Sequence, residues 1–307
     1  MDLVLPFTLG GGAFRGQLVR LHQAANETIV RHHQPEAVNR LIGESLVLAV
    51  ALGSRLKFDG VVTLQTSSKG PVSRIVADMT LDGNVRASVA TDPDRLADLI
   101  ATGEPLDFAH LAGDGHLAMT VDQGEDTDRY QGIVAIEGRT LADTAIAYFR
   151  QSEQIGTALL LAAEGPDGGF GWRAGGILLQ RLPTANATLA GPEEADAWET
   201  AKILLQSLTN RELLDPTLSA TELLRRLFHQ SDLVVFGGSD VRFACRCSRQ
   251  RLEDVLAGLP PDDLEHAAID GTIEVTCDFC KTRYIFDVND IPASSMPGDI
   301  PSKPRSE

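Results

Sequence analysis

The chain has 307 residues, 43% of them apolar, and its 27 Lys and Arg against 43 Asp and Glu give a formal charge of −16. That is enough apolar content for a sizeable core and for more than one structural unit, yet no run approaches the ~20 apolar residues that cross a bilayer. The acidic balance argues against a phosphate-backbone binder, which needs clustered Lys and Arg, and it favours solubility.

The N-terminus (MDLVLPFTLGGG) lacks a basic stretch and a cleavage site. No signal peptide is expected, and the chain reads as cytoplasmic. Gly10 to Gly16 (GGGAFRG) imitates a phosphate loop, but it lacks the Gly-Lys-Ser/Thr ending and any clear preceding strand, so a flexible entry loop is expected. Pro35 to Phe58 reads as a helix, with Pro in its first turn and apolar Val38, Leu41, Ile42, Leu46, Ala49 and Leu52 at helical spacing. Strand-like runs follow at Val61 to Gln65, Ser73 to Met79 and Val85 to Ala90, separated by Lys69-Gly70-Pro71 and Asp82-Gly83-Asn84, the pattern of an antiparallel meander. Asp94 to Ala101 predicts a short helix, His116 to Asp122 with Gly132 to Glu137 a strand pair, and Leu141 to Gln154 a helix. Ala158 to Ala163 and Gly175 to Leu182 predict two more strands. Strands and helices do not alternate regularly, so the class is α+β: an N-terminal domain with an antiparallel sheet and helices over 1–190.

Pro183 to Pro192 (PTANATLAGP) is a composition break and marks a domain edge. Helices are expected at Glu193 to Leu208 and Leu218 to Phe228, forming a helical linker over 191–240. Such a pair cannot bury its apolar faces alone and must lie on something else. A small cysteine unit occupies 241–290, and the Pro- and Ser-rich tail 291–307 reads as disordered.

Cysteine is absent from the first 244 residues. Cys245 and Cys247 form C-R-C, and Cys277 and Cys280 form C-D-F-C after 29 intervening residues. Four such sulfurs can close around one metal ion or pair as two local disulfides. In a reducing compartment the metal is favoured. Tetrahedral zinc sites use two close ligand pairs in this way. Ser248 to Leu259 between the pairs predicts a helix, and Gly271 to Thr276 with Tyr284 to Asp287 a hairpin. A unit this small has little core, so metal would supply most of its folding free energy, roughly 10–16 kcal/mol for structural zinc in peptides. C-x-C is less usual than C-x-x-C in a static ribbon, and thiolates are the oxidation-sensitive form of cysteine. Arg242, Arg246, Arg249, Lys281 and Arg283 lie close in sequence and are candidates to offset the thiolate charge.

On these residues the chain resembles the 33-kDa heat-shock protein family of bacterial redox-regulated holdase chaperones. The signature is Phe243-Ala-Cys245-Arg-Cys247-Ser-Arg249, Gly271-Thr-Ile-Glu-Val-Thr-Cys277-Asp-Phe-Cys280 and Tyr284-Ile-Phe-Asp287. Leu56-Lys57-Phe58-Asp59-Gly60, Tyr130-Gln131-Gly132 through Gly138, Tyr148-Phe149 with Ser152-Glu153-Gln154, and Ala174-Gly175-Gly176 through Gln180 extend it over nearly the whole chain. The resemblance implies that the reduced protein holds one zinc through Cys245, Cys247, Cys277 and Cys280 and is inactive. It implies that oxidation forms the disulfides Cys245–Cys247 and Cys277–Cys280, zinc leaves, and the linker loses its packing surface. A homodimer then holds unfolding client proteins without ATP; no catalytic residue and no other cofactor is implied.

Two rivals remain: a static zinc-ribbon binding module, and a thiol–disulfide oxidoreductase at Cys277-Asp278-Phe279-Cys280, although no βαβ context surrounds that motif. Neither nucleic acid nor membrane is an expected partner. His32, His33, His110 and His116 lack ligand spacing, and the scattered carboxylates form no acid/base pair.

Overall fold

The computed structural model describes residues 2–55, 60–124, 129–166, 169–182 and 191–291. Its contacts divide the chain into two compact units, Met1–Cys245 and Arg246–Glu307. In the first unit the order is β1 (Leu3–Leu9), β2 (Phe14–Leu21), α1 (Gln23–Val30), α2 (Glu36–Gly53), β3 (Val61–Ser68), β4 (Val72–Thr80), β5 (Asn84–Thr91), α3 (Pro93–Thr102), α4 (Phe108–Ala112), β6 (Gly115–Asp122), β7 (Tyr130–Ala135), α5 (Leu141–Tyr148), β8 (Thr157–Glu164) and β9 (Arg173–Arg181). It continues through α6 (Pro192–Ser207), α7 (Asn210–Leu213), α8 (Ala220–Phe228), β10 (Val234–Val235), β11 (Ser239–Asp240) and β12 (Arg242–Phe243). The α+β class holds. Among the described residues no helix is long and apolar enough to cross a membrane.

Two sheets are built from these strands. One has the order β10-β1-β2-β9-β8, with β11 also on β1; the other runs β12-β5-β4-β3-β6-β7 and contains the expected meander. Between them lies α2. Of its 18 residues 13 are buried, because the helix is covered by sheet on both sides rather than presenting one apolar stripe. A β-carbon at Gly43 would press on Ala163 of β8 and Ala174 of β9, while one at Gly53 would press on Met79 of β4. The helix stops at Gly53, short of the expected Phe58; residues 56–59 lie outside the described set.

The entry loop expected at Gly10 to Gly16 is a correction. Gly10–Gly12 form a short 3-10 turn joining β1 to β2, and Phe14 and Gly16 already belong to a strand. Phe7 pairs with Gly16, and a β-carbon there would fall inside the Phe7 ring. Glycine is what lets that ring lie across the strand and stack on Phe228 at 5.7 Å. The helix expected to Gln154 also differs. After α5 the chain widens into a π turn at Phe149–Glu153, closed by Gln154 in the left-handed region. The Glu153 carboxylate then accepts from the Tyr130 hydroxyl at 2.7 Å and the Tyr148 hydroxyl at 3.1 Å.

The first sheet is buried on its second face too, by α6, α7 and α8. Trp198, Ala201, Leu205, Leu208, Leu213, Leu223, Leu224 and Phe228 form one core with Phe7, Phe14, Leu18, Ile177 and Leu179. Arg20 of β2 fastens this layer by donating to the carbonyls of Glu212 (3.1 Å), Asp215 (3.3 Å) and Leu218. Desolvation lowers the Arg20 pKa, with Asp215 opposing the shift. After α8 the chain returns to the sheet edges as β10, β11 and β12. The break at Pro183 to Pro192 and the tail 291–307 fall outside the described residues except for Gly191, Pro192 and Ile291.

The second unit holds α9 (Arg249–Ala257), α10 (Pro261–Ala267), and the hairpin β13 (Thr272–Thr276) and β14 (Arg283–Asp287). Among the described residues its core is Leu256, Leu264, Ile273, Phe286 and Ile291 with partly buried neighbours. So small a core gives little hydrophobic stability, the situation in which small domains rely on a metal or disulfides.

Candidate metal centre

Cys245 is placed by β12. This two-residue strand runs parallel to β5, with the Arg242 N–H on Gly83 O at 2.9 Å and the Ala244 N–H on Val85 O at 3.1 Å. Gly83 has φ 77°, and a β-carbon there would collide with the Asp240 carbonyl, so the close approach depends on glycine. Cys247 precedes Ser248, whose hydroxyl caps α9 by accepting from the Arg251 N–H at 3.2 Å. Cys277 and Cys280 sit in the tight turn of the second hairpin, where the Cys277 N–H reaches Thr282 O at 3.0 Å and the Lys281 N–H reaches Cys277 O at 2.9 Å. Lys281 takes the left-handed conformation, φ 57°, that turns the chain back.

These local features bring four sulfurs together. All four Sγ atoms lie within 4.8 Å of one another, and Cys247 and Cys280 are 3.3 Å apart. Thiolates at ~2.3 Å around a tetrahedral ion stand about 3.8 Å from each other, so the observed spacing brackets that of a four-sulfur cage. Among the described residues this is the one group of three or more His, Cys, Asp and Glu able to hold a metal.

The surroundings favour the anionic form. Burial pushes the Cys280 thiol up, but the Thr282 hydroxyl at 3.1 Å, the Thr282 backbone N–H, and contacts with Cys247 and Cys277 outweigh it and bring the group down to about 6. The Tyr284 hydroxyl lies 3.2 Å from Cys247 Sγ, and chiefly because of that hydrogen bond its pKa is pushed up to about 12, so it remains a donor to sulfur. Outer donors of this kind orient metal ligands and tune their basicity.

Of the cations close in sequence, Arg242 donates to Asn84 at 2.8 Å, Arg283 pairs with Glu274, and Arg249 lies over the Phe286 ring at 4.6 Å and donates to Ile285 O at 2.9 Å. These three bind their own neighbours. The sequence places Tyr284 in the hairpin and the signature without a role at the sulfurs and does not single out Thr282, although both stand within four residues of Cys280. Arg86 was missed as well: its Nη1 lies 3.9 Å from Cys245 Sγ across a separation of 159 residues, which no local pattern signals. His110 is held by Asp107 at 2.6 Å, and His32 Nε2 lies 3.0 Å from Ala87 O; neither joins the sulfurs.

A family model described as "Hsp33 protein" matches residues 2–287. A protein of Caulobacter vibrioides called "33 kDa chaperonin" is 38% identical over 289 residues, covering 93% of this chain and 95% of the relative. A "33 kDa chaperonin" of Pseudomonas syringae pv. syringae is 36% identical over 305 residues, covering 98% and 96%. Among solved structures, that of the "33 kDa chaperonin (Heat shock protein 33 homolog)" of Thermotoga maritima superposes with a TM-score of 0.79, at 23% identity, over 94% of this chain and 96% of that one. At that identity the last match supports the fold.

Proposed function

Because the chain belongs to the Hsp33 protein family, and is therefore a chaperone, we propose that it is a redox-regulated, ATP-independent holdase of the bacterial cytoplasm, which binds unfolding client proteins and is active as a homodimer. The observation that carries the redox part is the cage of four sulfurs within 4.8 Å, together with the small core of the second unit. Cys245, Cys247, Cys277 and Cys280 fit zinc by donor type, number and spacing. A zinc ion bound there supplies folding free energy to the unit.

The chain's own residues then provide the switch. Peroxide takes two electrons from each adjacent thiolate pair: the O–O bond breaks, two protons complete two waters, and an S–S bond forms. We assign these bonds to Cys245–Cys247 and Cys277–Cys280, after which no thiolate is left to ligate a metal. Each disulfide closes a loop of only a few residues and constrains the chain little. A strong organising centre is thereby exchanged for two weak ones.

The residues 191–240 act as the linker in this scheme. Their helices are short and marginal on their own, and in the folded chain they cover Phe7, Phe14, Leu18, Ile177 and Leu179. Between α8 and Cys245 the chain is tied to the sheets by the two-residue strands β10, β11 and β12, by Ser231 O on the Gly10 N–H and by the buried Val241. Release that begins at Cys245 meets those three strands before it reaches α8. Uncovered apolar surface of this extent holds clients, and the charge of −16 keeps the open form in solution.

The test is stoichiometric. Zinc-loaded reduced protein is treated with peroxide while thiols, zinc and disulfide-linked peptides are measured. Loss of all four thiols with release of one zinc per chain, and peptides joined as 245–247 and 277–280, is the expected result. Thiols and zinc both retained under peroxide, or turnover in an insulin-reduction assay, would replace the proposal with a static ribbon or an oxidoreductase.

A further inference from the structure

Arg86 and Asp78 face each other directly across β5 and β4. Asp78 is 3% exposed, and both of its oxygens accept from Arg86 Nε, at 3.2 and 3.0 Å. Burial of such a pair costs solvation of both ions, so it does little for stability by itself. What it does is fix the plane of the guanidinium. In that orientation Nη1 reaches Cys245 Sγ at 3.9 Å.

The strand that delivers Cys245 to this cation is short. β12 has two residues, two backbone hydrogen bonds to Gly83 and Val85, the Arg242 side chain on Asn84 at 2.8 Å, and Phe243 partly buried against the core with the Arg31 guanidinium 5.0 Å from its ring centroid. A parallel pair of that length has little stability of its own. Its docking is therefore sensitive to a charge interaction two residues beyond its end.

We propose that Arg86, oriented by Asp78, is a positioning residue for the redox centre: it holds Cys245 as an anionic ligand and ties β12 to the sheet only while that sulfur carries charge. The inference rests on the redox reading above. When peroxide joins Cys245 to Cys247, two electrons leave two thiolates, the O–O bond breaks, two protons complete two waters, and Cys245 Sγ becomes neutral. The charge-assisted contact to Arg86 is lost at that step, while the Asp78 pair stays satisfied. The sheet edge thus registers oxidation at the first cysteine through a residue in the body of the first unit.

The test uses the full chain, reduced, with zinc as the probe and a chromophoric chelator as competitor, and amide exchange of Arg242, Phe243 and Ala244 as a second readout. The double variant Asp78→Asn/Arg86→Met removes both charges, so no lone buried ion compromises folding. We expect zinc affinity to fall about tenfold, in the range for outer-shell partners of a metal site, and β12 amides to exchange faster than in reduced wild type. Arg86→Lys, which keeps a mobile charge next to Asp78, restores most of both. Oxidised wild type shows the same fast exchange at β12. Wild-type zinc affinity and exchange in the double variant would overturn the proposal, as would equal losses in Arg86→Lys, which would make the role one of shape. Wild-type protein that keeps its zinc after peroxide would instead overturn the underlying redox reading, and the inference with it.

Discussion

In the proposed scheme, release of the linker has to break the packing of Phe228 on the first sheet. This residue ends α8, is 0% exposed, and stacks on Phe7 at 5.7 Å with an interplanar angle of 28°. Phe→Ala at a site that cannot collapse costs about 3–5 kcal/mol. Of that, the ring pair itself accounts for about 0.5–1.5 kcal/mol. Gly16 lies directly under the Phe7 ring, so no side chain there can move in to fill the space. At 1.4 kcal/mol per factor of ten, Phe228→Ala shifts the docking equilibrium of α8 toward release by roughly two to three and a half orders of magnitude. The assay is native-state amide exchange along Ala220–Phe228 in the reduced, zinc-loaded protein, run beside suppression of client aggregation. The account predicts loss of α8 protection together with partial chaperone activity before any oxidant is added. Exposed α8 amides with activity still wholly dependent on oxidation would refute the claim that linker release uncovers the client surface.

Three further outcomes follow from the same contacts. Cys277→Ser should abolish tight zinc binding while leaving the thermal transition of the first unit unchanged; wild-type zinc affinity in a chelator competition would count against a four-sulfur site. Arg20→Met removes a cation from three carbonyls of the linker layer and should destabilise it by about 1.5–3 kcal/mol, seen as a lower urea midpoint; an unchanged midpoint would show that those contacts do not hold the layer. Where the unit is folded, hydrogen bonds hold Cys280 at about 6 rather than 9.0, so the stability its thiolate gives is fully present above pH ~9 and is lost as pH falls through ~6. Acid-driven zinc release from the loaded protein should therefore move to higher pH in Thr282→Val, which removes a hydrogen bond that favours the thiolate, and an unchanged release midpoint would contradict it.

The central helix and the meander were legible in the sequence because both rest on local patterns. Pro35 sets the start of α2, and the Gly and Asn of Asp82-Gly83-Asn84 set the turn before β5. The cysteines were legible for the same reason, each pair being a tight local unit. The first thirty residues were not. Pro6 sits inside β1 and breaks the strand signal, yet it pairs with Gln17 across the hairpin. The start of α1 is capped by Asp2, whose carboxylate accepts from the backbone N–H of His22 at 2.7 Å, Gln23 at 3.1 Å and Ala24 at 2.9 Å; a cap from 20 residues away leaves no mark beside the helix. The sequence showed that the helices after 191 need a surface but not which one, since the covering face comes from β1, β2, β8 and β9, distributed over the first 181 residues. Arg86 belongs to the same class of features: it looks like an ordinary strand cation until the sheet edge brings Cys245 to it.

The most direct measurement is light scattering by a thermally unfolding client, with zinc-loaded reduced protein and peroxide-oxidised protein in parallel and zinc release read in the same samples. The account predicts that only the oxidised, zinc-free protein suppresses scattering, and that suppression rises in step with zinc release. Equal suppression by both forms, or suppression by an oxidised form that still holds its zinc, would contradict it.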